Sequence, residues 1–233
     1  MPNMPESRSH AARPFEHAIQ SLLRRLTQEA AAAVAMLESA LSALWVLDAE
    51  AAQEVRQRDK SIDQEEVRIE REALRIMALE QPVARDLRYI AFILKANADI
   101  ERVADHAKSI AKVARLMSDG PAPKWPTALV ELGQRVPMLC HALLRAMNDE
   151  DAQAARAIVQ EDKSIDDLEK QLFSETVALV RDNEEDIEQG ILIYRVGREL
   201  ERIADLMTNI AEDIIYVNTG EIVRHEVKKK NPA

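Results

Sequence analysis

The chain has 233 residues, with 31 Lys+Arg against 41 Asp+Glu and a formal net charge of -10. That acidic balance excludes nucleic acid and anionic membranes as generic partners, because phosphate binding is driven by Lys and Arg. Five glycines and 3% aromatics beside 47% apolar residues exclude both a sheet-rich fold and a disordered chain, and point to long helices.

After a loose start ending near Pro14, apolar residues recur at helical spacing from Phe15 to Leu47. Asp48 is placed as the N-cap of a second helix that runs to about Glu80 and is broken by Pro82. A third helix is predicted from Val83 to Met117. The segment 118–126, with three prolines and Gly120, is the linker. A fourth helix spans Thr127 to Met147, with a kink expected at Pro137. The fifth covers Asp151 to Asp182, and the sixth runs from about Glu184 to Asn218, stopped by Thr219-Gly220.

The halves repeat each other. Asp59-Lys60-Ser61-Ile62-Asp63 returns as Asp162-Lys163-Ser164-Ile165-Asp166, and Ile100-Glu101-Arg102-Val103-Ala104-Asp105 as Leu200-Glu201-Arg202-Ile203-Ala204-Asp205. The expected architecture is all-α: six long helices in two repeated three-helix bundles, related by pseudo-two-fold symmetry. The repeats are placed at 14–118 and 127–221, with loose tails at 1–13 and 222–233.

Both repeated elements carry carboxylates at i and i+4, which share a helix face. A solvated acidic face is the simplest reading of any such pair. Phase argues further: at 100° per residue, Asp59, Asp63, Glu66 and Glu70 fall within about 60° of arc, in line with Ala52, Val55, Ala73 and Met77. Asp162, Asp166 and Glu169 are similarly bracketed by Ala155, Ile158, Phe173 and Val180, and Glu101 and Asp105 continue the direction of Leu87, Ile90 and Leu94. Height agrees with phase. The pairs Asp59/Asp105 and Asp63/Glu101 are both centred on Pro82, and Asp162/Asp205 and Asp166/Glu201 are both centred between 183 and 184. Each hairpin should therefore bring four carboxylates to one level. Lys108 and Lys112 lie on the first face, where the second repeat has Thr208 and Glu212.

Oxygen-rich clusters without cysteine suit Mg, Mn, Ca or Fe. A di-iron carboxylate enzyme is a poorer fit, since none of the five histidines follows a Glu at the Glu-x-x-His spacing. His106 reads as a flank residue, and Trp45 and Trp125 as packing at helix ends. A scaffold whose acids bind nothing stays open, as does a metal store. There is no Gly-rich phosphate loop, and no nucleophilic apparatus can be argued from the scattered residues. Cys140, alone in an apolar run, reads as core and excludes an internal disulfide, which suits a reducing cytoplasm. Met1–Arg13 lacks the apolar core of a secretory signal, and no stretch of about 18 uncharged apolar residues exists, so no membrane insertion is expected. The run Lys228–Lys230 reads as a solvated tail.

Glu80-Gln81-Pro82-Val83-Ala84-Arg85-Asp86-Leu87-Arg88 resembles the QQPVARDLR turn of the PhoU family of bacterial phosphate-signalling accessory proteins. Asp99 to His106 and Glu199 to Asp205 are similar to its DLERIGDHA helix, with Ala104 and Ala204 in place of the family glycine. Asn209-Ile210-Ala211-Glu212 and Thr219-Gly220-Glu221 resemble its NIAE and TGE segments, whereas the first repeat has Ser109 and Lys112 where Asn and Glu are usual. The resemblance implies two three-helix bundles whose E(D)xxxD motifs hold metal ions in some members. It would assign Asp59, Asp63, Glu101 and Asp105 to one metal site, and Asp162, Asp166, Glu201 and Asp205 to the other, for Fe, Zn, Mn or Mg. It further implies a non-enzymatic negative regulator of the phosphate-starvation response: a cytoplasmic homodimer that links the ATPase subunit of the phosphate ABC transporter to a phosphate-sensing histidine kinase. The turn Gln81–Arg88 is the contact surface this suggests, or else a simple hairpin cap.

Overall fold

The computed structural model describes residues 7–182 and 187–223, with side chains described for 16–181 and 187–223. Its helices are α1 (Ser7–Val46), α2 (Ala49–Glu80), α3 (Arg85–Met117), α4 (Thr127–Asn148), α5 (Ala152–Asp182) and α6 (Ile187–Thr219), with no strand among the described residues. The two repeats turn their first corner in the same way. Leu47 and Glu150 adopt left-handed backbone angles, φ 54° and 51°. The next N–H, that of Asp48 or Asp151, then donates back to the carbonyl of Ala43 or Ala146, which closes the preceding helix as a Schellman turn. The same two aspartates cap the next helix: Asp48 Oδ1 accepts from the N–H groups of Glu50 and Ala51, and Asp151 Oδ1 from those of Gln153 and Ala154. At the other end Gly220, φ 76°, closes α6 through its N–H to Tyr216 O at 2.8 Å.

Helices α1–α3 pack together, as do α4–α6, and the repeats join through α3 against α6 and α1 against α4. Helices α3 and α6 serve both their own bundle and this junction, so their buried residues are spread around the helix: Ile90, Ile93, Ile100 and Ile110 on α3, with Ile193, Leu200, Ile203 and Ile210 on α6. Ala104 and Ala204 are buried among them. Gly197 lets α6 close on α5, since a Cβ there would lie 2.0 Å from Leu172 Cδ2. Trp45 and Trp125 meet edge to face, centroids 5.1 Å apart, beside Gly133. Cys140 is core as expected, and burial pushes its thiol up to about 12.

Several expectations need correction. Helix α1 starts at Ser7, so residues 7–13 are helical and not loose. Pro14 removes one backbone hydrogen bond, but its fixed φ is itself helical. Helix α3 starts at Arg85, because Ala84 takes φ 50° and ψ -112°. Val223, assigned to a tail, is buried against the core. The second hairpin's turn at 183–186, His225 and the run Lys228–Lys230 lie outside the described residues. Among the described residues, one helix is long and apolar enough to cross a membrane by length and composition: Glu16–Val46 has an 18-residue window of mean hydropathy 1.4. Glu38, the one charge between Ala30 and Val46, does not outweigh its apolar neighbours. Leu22, Leu26, Leu37 and Leu44 of this helix are buried in the core.

Candidate metal centre

The first hairpin carries its acids on α2 and α3. Asp59 alone is buried, lying in the seam Ala52–Val55–Ile62–Ile69; Glu66 and Glu101 are half-buried, and Asp63, Glu70 and Asp105 are exposed. Met77 and Leu87, expected on that seam, are exposed too. The arc of acids therefore straddles the seam's edge, where the groove between the two helices opens to water. Lys108 donates from Nζ to Asp59 Oδ2, and also to Asp105 Oδ1 at 3.4 Å. One ammonium touching both aspartates puts them at the same height, and supplies the cation of this cluster. Burial and the neighbouring Asp59 push the Asp63 carboxyl up, while Lys108 pulls it back. Glu101 is raised by burial, then by Asp105, Asp63, Glu66 and Asp59. Lys112, expected to share in the compensation, makes no ion pair among the described residues.

The second hairpin differs. Asp166, Glu201 and Asp205 each offer a carboxylate oxygen such that all three lie within 4.8 Å of one another, and they form the one such group among the described residues. Asp162, expected as a fourth ligand, is not in this group; it accepts from Thr208 Oγ1 at 3.4 Å. Thr208 stands where the first repeat has Lys108, so a neutral hydroxyl replaces the ammonium. Glu201 is raised by burial, then by Asp205, with Arg198 opposing and Asp166 and Glu169 adding to the rise. Arg198 was not anticipated: it reaches Glu201 Oε2 at 3.4 Å and Glu169 Oε1 at 3.5 Å, so the second site is partly neutralised from one turn upstream. Tyr194 also donates to Glu169 Oε1, at 2.5 Å.

Sequence reasoning also missed Glu29 on α1. It is 3% exposed, both of its carboxylate oxygens are buried without a hydrogen-bond partner, and its pKa is raised to about 8. Burial is the main cause, followed by Glu65 and Glu66, with Arg25 opposing and Glu101 adding. Its sequence signal was present: Glu29 is in helical phase with Leu22, Leu26 and Ala33. His106 is no part of either cluster. Its Nδ1 donates to Glu199 Oε2 at 2.6 Å, across the junction between repeats.

Three acceptor-only carboxylates converge at Asp166, Glu201 and Asp205, and the Glu201 carboxyl is raised first by burial and then by repulsion from Asp205 and Asp166. A hard or borderline cation in this triad would reverse that repulsion, so the residues fit. In the first repeat Lys108 already performs this role.

A family model described as the PhoU domain matches residues 26–114 and again 129–214. A phosphate-specific transport system accessory protein PhoU homolog of Pseudomonas putida is 32% identical over 225 residues, covering 96% of this chain and 88% of the relative. One from Deinococcus radiodurans is 37% identical over 167 residues, 72% of this chain and 78% of the relative. Among solved structures, PhoU from Pseudomonas aeruginosa superposes with TM-score 0.86 at 32% identity, covering 89% of this chain and 100% of that one. The phosphate transport system regulatory protein PhoU from Streptococcus pneumoniae gives 0.83 at 30% identity, with 90% and 99% coverage. These relatives are accessory and regulatory proteins by name, which supports the non-enzymatic reading.

Proposed function

The chain belongs to the PhoU family, and on that premise we propose that it is a cytoplasmic negative regulator of the phosphate-starvation response. In this reading it docks on the ATPase subunit of the phosphate ABC transporter and on a phosphate-sensing histidine kinase, and holds the kinase in its inhibitory state when phosphate is plentiful. The observation that carries the reading is the match of both repeats, in order, to proteins named for phosphate transport. The tip of the first hairpin adds support. Leu79 and Val83 are 65% and 72% exposed at a turn held by two positive-φ residues, Gln81 and Ala84. Behind it Arg85 and Tyr89 are tied to Glu150 of the second repeat, with Tyr89 donating to Glu150 Oε2 at 2.5 Å. A rigid corner with exposed apolar residues suits a partner contact better than a simple cap. A homodimer is part of the proposal.

We further propose that Asp166, Glu201 and Asp205, flanked by Asp162, hold a divalent or iron-type ion. The first cluster, Asp59, Asp63, Glu101 and Asp105, would take one only by displacing Lys108. A bound ion would supply positive charge to these carboxylates; Arg198 holds Glu169 and Glu201, and Tyr194 holds Glu169. Deletion of the gene in phosphate-rich medium should raise phosphate-regulon expression, and unchanged expression would refute the regulatory reading. Metal analysis of chelator-free protein should give bound metal that Asp205→Ala loses. A wild-type protein that stays metal-free after supplementation would refute the ligand assignment.

A further inference from the structure

At the junction between the repeats a cleft of about 440 Å³ opens between α2, α3 and α6. Its charge is opposite to that of the chain. Arg56, Lys108, Lys112, Arg195 and Arg202 line it, against the carboxylates of Asp105 and Glu199. Both carboxylates are already engaged from within: Asp105 accepts from Lys108, while Glu199 accepts from His106 and lies 3.8 Å from Arg195 Nε. Burial opposes ionisation of Glu199, but the His106 hydrogen bond and the charges of His106, Arg195 and Arg202 hold its carboxyl below the usual range. Lys112 carries no ion pair among the described residues, Arg202 acts on Glu199 through its charge without a direct ion pair, and Arg56 donates to the neutral Gln53. A chain of net charge -10 thus gathers five Lys and Arg against two carboxylates in one concave place.

The internal repeat supplies a control. The positions equivalent to Arg56, Lys108 and Lys112 are Val159, Thr208 and Glu212. Those equivalent to Arg195 and Arg202 are Lys95 and Arg102, and both are consumed by acids: Lys95 lies 3.3 Å from Asp213, and Arg102 lies 3.3 Å from Asp99. The fold alone therefore does not require a basic cleft at this junction. The lining has no Phe, Tyr or Trp on which a base or an apolar peptide side chain would stack. Arginine forks beside lysine point charges match the oxygens of phosphate.

We propose that this cleft is a binding site for a phosphate-type oxyanion, inorganic phosphate or a phosphoryl chain, held by Lys112 and Arg202 with Arg56 and Arg195 around it. The bound anion bridges α3 and α6, and so couples one repeat to the other. This goes beyond the regulatory reading and does not depend on it.

The test is calorimetric titration of the full-length, EDTA-dialysed protein with inorganic phosphate, pyrophosphate and ATP, and with sulfate as competitor. Saturable one-to-one binding is expected. Lys112→Ala and Arg202→Ala, both exposed positions where alanine keeps the helix, should each weaken it by about tenfold or more. Lys60→Ala, which removes an exposed charge outside the cleft, should leave it unchanged. Tighter ATP than pyrophosphate assigns the source to nucleotides and the reverse to inorganic phosphates; either outcome supports the site. The proposal is overturned by no saturable binding of any of the three at millimolar concentrations. It is also overturned by equal weakening in Lys60→Ala, or by binding that appears only after metal is added back.

Discussion

Glu29→Gln should stabilise the protein, and by an amount that grows with pH. The carboxyl is 3% exposed, both oxygens lack partners and its pKa is raised to about 8, mainly by burial and then by Glu65 and Glu66. In the unfolded chain it ionises near the ordinary glutamate value of 4.5. A carboxyl raised by folding contributes no penalty below the unfolded value; the penalty then grows as pH climbs towards the folded value and levels off above it. With 1.36 kcal/mol per unit, the cost is about 1 kcal/mol at pH 5, about 3 kcal/mol at pH 7 and about 5 kcal/mol by pH 9. Glutamine keeps the shape and cannot ionise, so the stability difference between variant and wild type should trace that curve. Urea unfolding of both proteins in EDTA, at pH 5, 7 and 9, measures it. A difference that does not change between pH 5 and 9, or a variant less stable than wild type at pH 9, would refute the reasoning, because either result means Glu29 folds as a satisfied carboxylate.

Other perturbations test the packing around the site. Lys108→Met leaves Asp59 buried and unpaired, which should cost about 3–5 kcal/mol; adding Asp59→Asn should recover most of the loss in a double-mutant cycle by urea denaturation. Gly197→Ala forces a methyl to within 2.0 Å of Leu172 Cδ2, so about 1–3 kcal/mol should be lost; Leu172→Ala in the same chain should make the added alanine far cheaper. Asp48→Ala and Asp151→Ala each remove a cap with two N–H partners, and each should lower stability by about 1 kcal/mol. A loss in only one of the two would contradict the equivalence of the corners.

Features set by neighbours in sequence were legible in the sequence alone. Asp48 as an N-cap, Gly220 as a stop, the Pro82 hairpin and the doubled architecture all follow from local backbone chemistry and periodicity. Helical phase also placed the acids on a common arc. It did not say where the seam ends, because that edge depends on how closely α3 approaches α2. Asp59 falls inside the edge, while Asp63 and Asp105 fall outside it. Arg198 was within reach of the same reasoning, being three residues before Glu201 on one helix, as was Glu29 in phase with a leucine stripe. The His106–Glu199 bond was not, since it joins residues 93 apart across two repeats and has no local signal.

The two copies of the hairpin differ electrostatically through very few residues. In the first repeat Lys108 enters the carboxylate cluster and neutralises Asp59 from inside the protein. In the second, Thr208 makes room and leaves Asp166, Glu201 and Asp205 as an acceptor-only triad whose repulsion Arg198 only partly relieves. The substitution matters on the outer face of the helix as well. Lys108 lines the basic cleft at the junction, and Lys112 one turn on adds to it, where the second repeat places Glu212. The proposed cation site is thus the counterpart of a cluster that Lys108 neutralises, and the same lysine also lines the cleft proposed for an anion. Exchanging these residues between repeats, with Lys108→Thr and Lys112→Glu together, should turn the cleft acidic and uncover a second carboxylate cluster. Such a variant should gain metal capacity while losing pyrophosphate binding; retention of both wild-type properties would mean that neither charge pattern is the determinant.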